Sequence, residues 1–343
     1  MRGGRKGRTA AAVLWGLGLL VPAVALAGEE TTPVLRVGAA NSLPSLVLFV
    51  GVEKGIFLKN GVDAKLRVFG TGPEMTKALQ AGDIDMAAVA MTNLPVALER
   101  GFQVRGIVTQ LGDGASTTHD NMMGVVVRPG AVIERLADLA GKKVGVTIGG
   151  TADLYLTAAL KRGGVGRDAV GYVNVPPGNM AAILQGGGVD AIATWEPFVT
   201  MALERVMGAR LLVRGGGYVC FCSAVNAPPQ LIETRPQVLH RFVMGMAEAA
   251  HYTRTHLDEA AEISTRWVPG LEAGLARKVI PYTIYDPRLT PQTYRAFDES
   301  VRILLEQKKM RAPFPAERVY EPRFIQQVVQ ERPEWFADLK PAR

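Results

Sequence analysis

The chain predicts an α/β protein of two lobes, each built on a largely parallel sheet, and three observations carry that prediction. The first is an internal repeat: Leu79, Gln80, Gly82, Asp85 and Ala88 of "LQAGDIDMAAVA" return, at one fixed offset, as Leu184, Gln185, Gly187, Asp190 and Ala193 of "LQGGGVDAIATW". Upstream, Val68 and Met75 meet Val173 and Met180 at the same offset, and seven matches at one spacing point to a duplicated unit. The second is an order of short apolar runs alternating with helix-length amphipathic segments, which favours parallel strands joined by right-handed crossovers. The third is a pair of strand-like stretches, "NMMGVVVRPG" and "GYVCFCSAVN", that stand outside the repeat and bracket its second copy.

Taken in order, "VLRVGAA" reads as a strand, "LPSLVLFVGVEKGIF" as a helix, "AKLRVFG" as a strand, "PEMTKALQAG" as a helix and "DMAAVAM" as a strand. The second copy runs through "KKVGVTI", the helix "ADLYLTAALKRGG", "VGYVNVP", the helix "GNMAAILQG" and "VDAIATW". The two bracketing stretches, if they run side by side, carry the chain from the first lobe to the second and back, as a two-strand hinge beside a cleft. On this reading residues 28–122 and 223–343 form lobe one and residues 123–222 form lobe two. After Pro228 the pattern is helical, and amphipathic runs such as "RPQVLHRFVMGMAEAAHYTRTHL" are expected to pack outside lobe one.

Residues 1–27 stand apart. Arg2, Arg5, Lys6 and Arg8 make a basic start, an uncharged run follows, and Ala25-Leu26-Ala27 is a small-residue cleavage site, so the segment reads as an export signal with the mature chain beginning at Gly28. Without those four cations the formal charge of +7 falls by four, which leaves no concentrated cationic face for nucleic acid. Cys220 and Cys222 lie two apart in a strand-like run, where parallel Cβ vectors oppose a bridge, so no disulfide scaffold is expected despite export.

In open α/β sheets ligands lie beyond the carboxyl ends of the strands, where helix N-termini present free N–H groups. Four such places carry small polar residues: Asn41-Ser42, Thr71-Gly72, Thr92-Asn93 and Gly150-Thr151. Each residue alone suits ordinary N-capping, but four at one topological place favour a pocket for a polar-headed ligand. In "TWEPF" the indole of Trp195 suits a pocket wall, and Glu196 suits either a ligand amine or the cap of a helix opening at Pro197. Tyr218, in the second bracketing stretch, completes the candidate set. No catalytic constellation appears: His119, His240, His251 and His256 lack a nucleophile or carboxylate pattern beside them, and no phosphate-binding glycine motif follows a strand.

Together "VEKGIF", "ALQAGDIDMAAV", "LADLAGKKVGVTIGGTAD", "ILQGGGVDAIATWEPF" and "LIETRPQVLHRFVMG" resemble the periplasmic solute-binding proteins of the nitrate/sulfonate/taurine type, a group that includes binders of pyrimidine precursors of thiamin. The resemblance implies a two-lobed periplasmic-binding-protein fold of type II that closes on a small-molecule ligand and delivers it to the membrane permease of an ABC transporter. It implies a periplasmic monomer that is not an enzyme, needs no cofactor or metal, and forms its pocket with Ser42, Thr71, Thr92, Thr151 and Trp195. "YVCFC" resembles the second half of the cysteine-rich run of thiamin-pyrimidine-forming relatives, with Tyr218 and Val219 where the first two cysteines stand. The aromatic sulfinate desulfinases place a nucleophilic cysteine in the first strand-end loop, where this chain has Asn41-Ser42, so an enzyme reading lacks its central residue. A small organic anion is the favoured ligand, with an aromatic heterocycle as the alternative and an enzyme of the same fold as the other class.

Overall fold

The structure is a computed structural model that describes residues 31–341 except Asn93 and Thr117. The export-signal reading of residues 1–27 therefore lies outside the described residues. Among the described residues ten strands form two five-stranded mixed sheets. The first has the order β2-β1-β3-β10-β4, from β1 (Val34–Ala40), β2 (Asp63–Phe69), β3 (Met86–Ala90), β4 (Arg105–Leu111) and β10 (Ser223–Ala227). The second has the order β7-β6-β8-β5-β9, from β5 (Met123–Val127), β6 (Lys143–Val146), β7 (Gly171–Asn174), β8 (Ala191–Trp195) and β9 (Arg210–Arg214). Three strands of each sheet are parallel, and the fourth and fifth are antiparallel to their neighbours in the same pattern.

The repeat has a structural reason. Asp85 and Asp190 each sit just before the third parallel strand of their sheet and exchange bonds with the strand beside them. Asp85 N–H donates to Arg36 O at 2.8 Å while its carboxylate accepts from Arg36 N–H at 2.7 Å. Asp190 N–H donates to Lys143 O at 2.8 Å while its carboxylate accepts from Lys143 N–H at 2.9 Å. Each aspartate thus extends a strand ladder by one pair of bonds at the point where an unpaired N–H would begin. Gly82 and Gly187, with φ of 75° and 70°, end the preceding helices in the left-handed conformation that glycine adopts without a Cβ clash. Met75 and Met180, both fully buried, anchor those helices to their sheets.

The bracketing stretches behave differently from a simple two-stranded ribbon. Their approach segments do run side by side: Phe221 N–H donates to His119 O at 2.9 Å, and the Asp120 carboxylate accepts from Gly217 and Tyr218 N–H at 3.0 and 2.7 Å. Beyond that contact they diverge. β5 enters the second sheet between β8 and β9, and β10 enters the first between β3 and β4, so each lobe's sheet is completed by the strand that follows a crossing. The cysteines, for which an extended strand strains a bridge, lie in a different backbone. Cys220 and Cys222 precede β10, in irregular backbone that brings their Cα atoms to 5.3 Å. A bent segment meets the Cα requirement that an extended one strains.

The C-terminal helices cover lobe one as their amphipathic pattern demands. Helix Pro236–Thr255 buries Leu239, Phe242, Val243, Met246, Ala247 and Ala250, a helical spacing, against helix Leu46–Glu53 and helix Arg323–Glu331. Aromatic pairs fix that layer: Phe49 stacks on Trp267 at 4.9 Å and Phe57 on Phe242 at 5.1 Å. The same tail also reaches lobe two. Lys161 meets Glu306 at 2.7 Å, Lys278 meets Glu204 at 3.1 Å, Arg205 Nη2 donates to Gly270 O at 2.5 Å, and the Arg214 guanidinium lies 4.2 Å above the Tyr282 ring.

Candidate functional site

The carboxyl ends of the parallel strands of both sheets open on one cavity. Lobe one contributes Ser42 after β1, Thr71 and Gly72 after β2, Gln110 near the end of β4 and Ser223 at the start of β10, and Phe221 comes from the returning crossing just before β10. Lobe two contributes Thr147, Gly150 and Thr151 after β6 and Trp195 at the end of β8. Pro44, Pro73 and Met75 supply further apolar wall. Among the described residues no charged side chain lines it.

Two helix N-termini end at this cavity, one from each lobe. Thr71 is the N-cap of helix Gly72–Gln80, its hydroxyl accepting from Glu74 N–H at 3.4 Å, and Gly150 is the N-cap of helix Thr151–Arg162 with no side-chain cap. A helix N-terminus concentrates unpaired N–H groups and about half a positive charge, so the site attracts negative charge without a cationic side chain. Ser42 opens a short 3₁₀ turn and makes no capping bond.

Of the residues singled out by sequence, Ser42, Thr71, Gly72, Gly150, Thr151 and Trp195 come together at this cavity. Thr92 lies behind it, its hydroxyl 2.7 Å from that of Thr151, a buried hydrogen bond that joins the two lobes at the cavity. Asn41 extends the β1–β2 ladder, donating its N–H to Phe69 O at 3.0 Å, and its side chain is not among the lining groups. Glu196 turns inward: fully buried, it pairs with Arg214 and accepts from Thr200 N–H and Oγ1 at 3.1 and 2.8 Å, which caps helix Phe198–Arg205. Tyr218 packs on Tyr155 with ring centroids 5.6 Å apart and borders a separate, more open groove beside helix Pro291–Glu306. Asn93 lies outside the described residues.

Sequence reasoning missed Gln110, Thr147, Phe221 and Ser223. A signal existed for Gln110, the one amide in the mostly apolar run "GIVTQL", where an uncompensated buried amide is costly. Gln110 Nε2 donates to Ser223 Oγ at 2.8 Å. Trp195, packed edge-on against Phe198 at 6.1 Å and tilted against Phe221 at 6.2 Å, lines the cavity, and Phe221 of the returning crossing adds a second aromatic wall.

Behind the helix N-terminus, Asp153 ties the second lobe to the C-terminal tail. Its buried carboxylate accepts from Gly149 N–H and Lys309 Nζ, each at 3.0 Å, and from Arg167 Nη2 at 3.2 Å. Burial alone would push this carboxyl up, but the Gly149 amide and the Lys309 and Arg167 cations outweigh it and hold it below the usual aspartate range. Because the folded value lies below the unfolded one, the stabilisation is present above the unfolded value of about 4 and is lost as pH falls through the folded one. Asp153→Asn is therefore expected to flatten the acid limb of a melting-temperature profile below about pH 5. Parallel acid limbs in the two proteins would remove Asp153 from this role.

A family model described as NMT1/THI5 like matches residues 44–260. A putative binding protein of Brucella abortus (strain 2308) is 27% identical over 74% of this chain and 77% of its own length. A putative aliphatic sulfonates-binding protein of Bacillus subtilis (strain 168) is 25% identical over 67% of this chain and 68% of its own. Among solved structures, the alkanesulfonate-binding protein SsuA of Xanthomonas axonopodis pv. citri, bound to MOPS, superposes with a TM-score of 0.74 at 17% identity, covering 84% of this chain and 98% of that one. That likeness shows the two-lobed fold.

Proposed function

The chain belongs to the NMT1/THI5-like family, and from that premise we propose that it is the periplasmic solute-binding component of an ABC importer, taking up a small organic anion. The observation that carries this reading is a cavity lined by both lobes, with one helix N-terminus from each and neutral polar groups around them. Such a site neutralises an anionic head with backbone N–H groups. Relatives named for binding aliphatic sulfonates support the substrate class. Lobe one then comprises residues 28–122 and 223–343, lobe two residues 123–222, and closure about the paired crossings traps the ligand for the permease. Trp195 and Phe221 favour, as a second reading, a flat heterocycle held between the lobes.

Ligand that bridges the lobes stabilises the closed state only through contacts made by both. Mass spectrometry of ligand released from protein purified without refolding identifies the solute, and X-ray scattering with that solute is expected to show a smaller radius of gyration than without it. Thr151→Val, which removes a hydroxyl from the cavity and from the bond to Thr92, is expected to weaken binding by about 0.5–1.5 kcal/mol and reduce the contraction. A chemically altered product recovered in place of the solute would assign the fold to an enzyme, and an unchanged radius would place the pocket within one lobe.

A further inference from the structure

Two lining residues carry buried polar atoms with no partner in the protein, Gln110 Oε1 and Trp195 Nε1. They are chemically opposite. The indole N–H only donates, and the amide oxygen only accepts. They also belong to opposite lobes, since Gln110 lies on β4 and Trp195 ends β8. Gln110 is 1% exposed, and Ser223 Oγ engages its amide nitrogen at 2.8 Å, which leaves the oxygen as the free end. An unpaired acceptor so deeply buried is costly unless a bound molecule supplies a proton donor.

We propose, on the solute-binding reading above, that Gln110 and Trp195 set the polarity of the ligand. The Trp195 N–H receives an acceptor oxygen of the ligand from the second lobe, and Gln110 Oε1 receives an N–H or O–H of the ligand from the first. That donor is a neutral one. No carboxylate lines the cavity among the described residues, so an ammonium group placed there gives up its hydration without a counter-charge. The preferred solute is thus an organic anion bearing a hydroxyl or amide N–H, in place of a bare alkyl anion or an amino acid-like zwitterion. A site with a buried acceptor discriminates strongly against an analogue that cannot fill it, because the acceptor then stays unpaired.

Calorimetric titration with three sulfonates of one chain length tests this: ethanesulfonate, 2-hydroxyethanesulfonate and 2-aminoethanesulfonate. In the parent protein the hydroxylated compound is expected to bind about tenfold or more tighter than ethanesulfonate. The amino compound should not exceed it. In Gln110→Met the advantage of the hydroxyl should fall to within about twofold. Gln110→Glu keeps an acceptor on the same stem and adds a negative charge, so there the amino compound should become the tightest of the three. Equal binding of ethanesulfonate and its hydroxyl analogue to the parent overturns the proposal, as does a hydroxyl advantage that survives Gln110→Met. A preference for the donor-free compound overturns it too, because the amide oxygen then gains nothing from a ligand hydroxyl. Failure of all three sulfonates to bind the parent would instead retire the sulfonate-class reading, and this inference with it.

Discussion

Replacing Arg214 with leucine is expected to cost about 3–5 kcal/mol of folding stability, read as a lower urea midpoint at unchanged slope. Glu196 is fully buried, and its carboxylate has three partners: the Arg214 guanidinium, Thr200 N–H and Thr200 Oγ1. Removal of the cation leaves a buried carboxylate with only two neutral donors, and uncompensated buried charge is among the most destabilising changes a core can undergo. Arg214 also lies over the Tyr282 ring, so the same substitution loosens a contact between lobe two and the C-terminal tail. The double variant Arg214→Leu with Glu196→Gln separates the causes. Most of the loss should return, because a neutral amide no longer demands the cation. A single variant within about 1 kcal/mol of the parent would show that water reaches Glu196, and the buried-pair account would fail.

Trp195→Ala is expected to weaken solute binding by about 1–3 kcal/mol, roughly 5- to 150-fold in the dissociation constant. The ring lines the cavity, packed against Phe198 and Phe221, and its buried N–H has no partner in the protein. Trp195→Phe retains much of the wall without the donor and should fall between the two. Titration together with a melting curve checks the assignment: unchanged affinity with a lower melting temperature would make Trp195 a packing residue. Phe221 and Met75 remain in either variant, so part of the apolar wall survives and the loss is bounded.

The repeat shows how much of this architecture is local. Leu79-Gln80, Gly82 and Asp85, with their counterparts Leu184-Gln185, Gly187 and Asp190, specify a helix end, a left-handed turn and a strand-opening aspartate. Each of these depends on residues close in sequence or on the nearest parallel strand, so residue type and spacing determine them. The same logic made Ser42, Thr71, Gly150 and Thr151 legible as strand-end residues, since a parallel sheet sends all its carboxyl ends to one side.

Other features depended on which groups meet in space. Asn41 and Glu196 carried the same chemical promise as Ser42 and Trp195, but the ladder bond to Phe69 claims the backbone of Asn41, and Arg214 with Thr200 claims the carboxylate of Glu196. Gln110 and Ser223 are 113 residues apart and become partners only because β10 returns from the second lobe to lie against β4. Lys309 reaches Asp153 across 156 residues, so a tail read as packing outside lobe one also braces lobe two. Periodicity and strand order determine the sheets, their helices and the side on which a pocket opens. Which polar atom is satisfied, and which is left for a ligand, is decided by partners brought together only when the chain has crossed twice between its lobes. A hydrogen bond or ion pair requires contact, and sequence spacing carries no information about contact at that range.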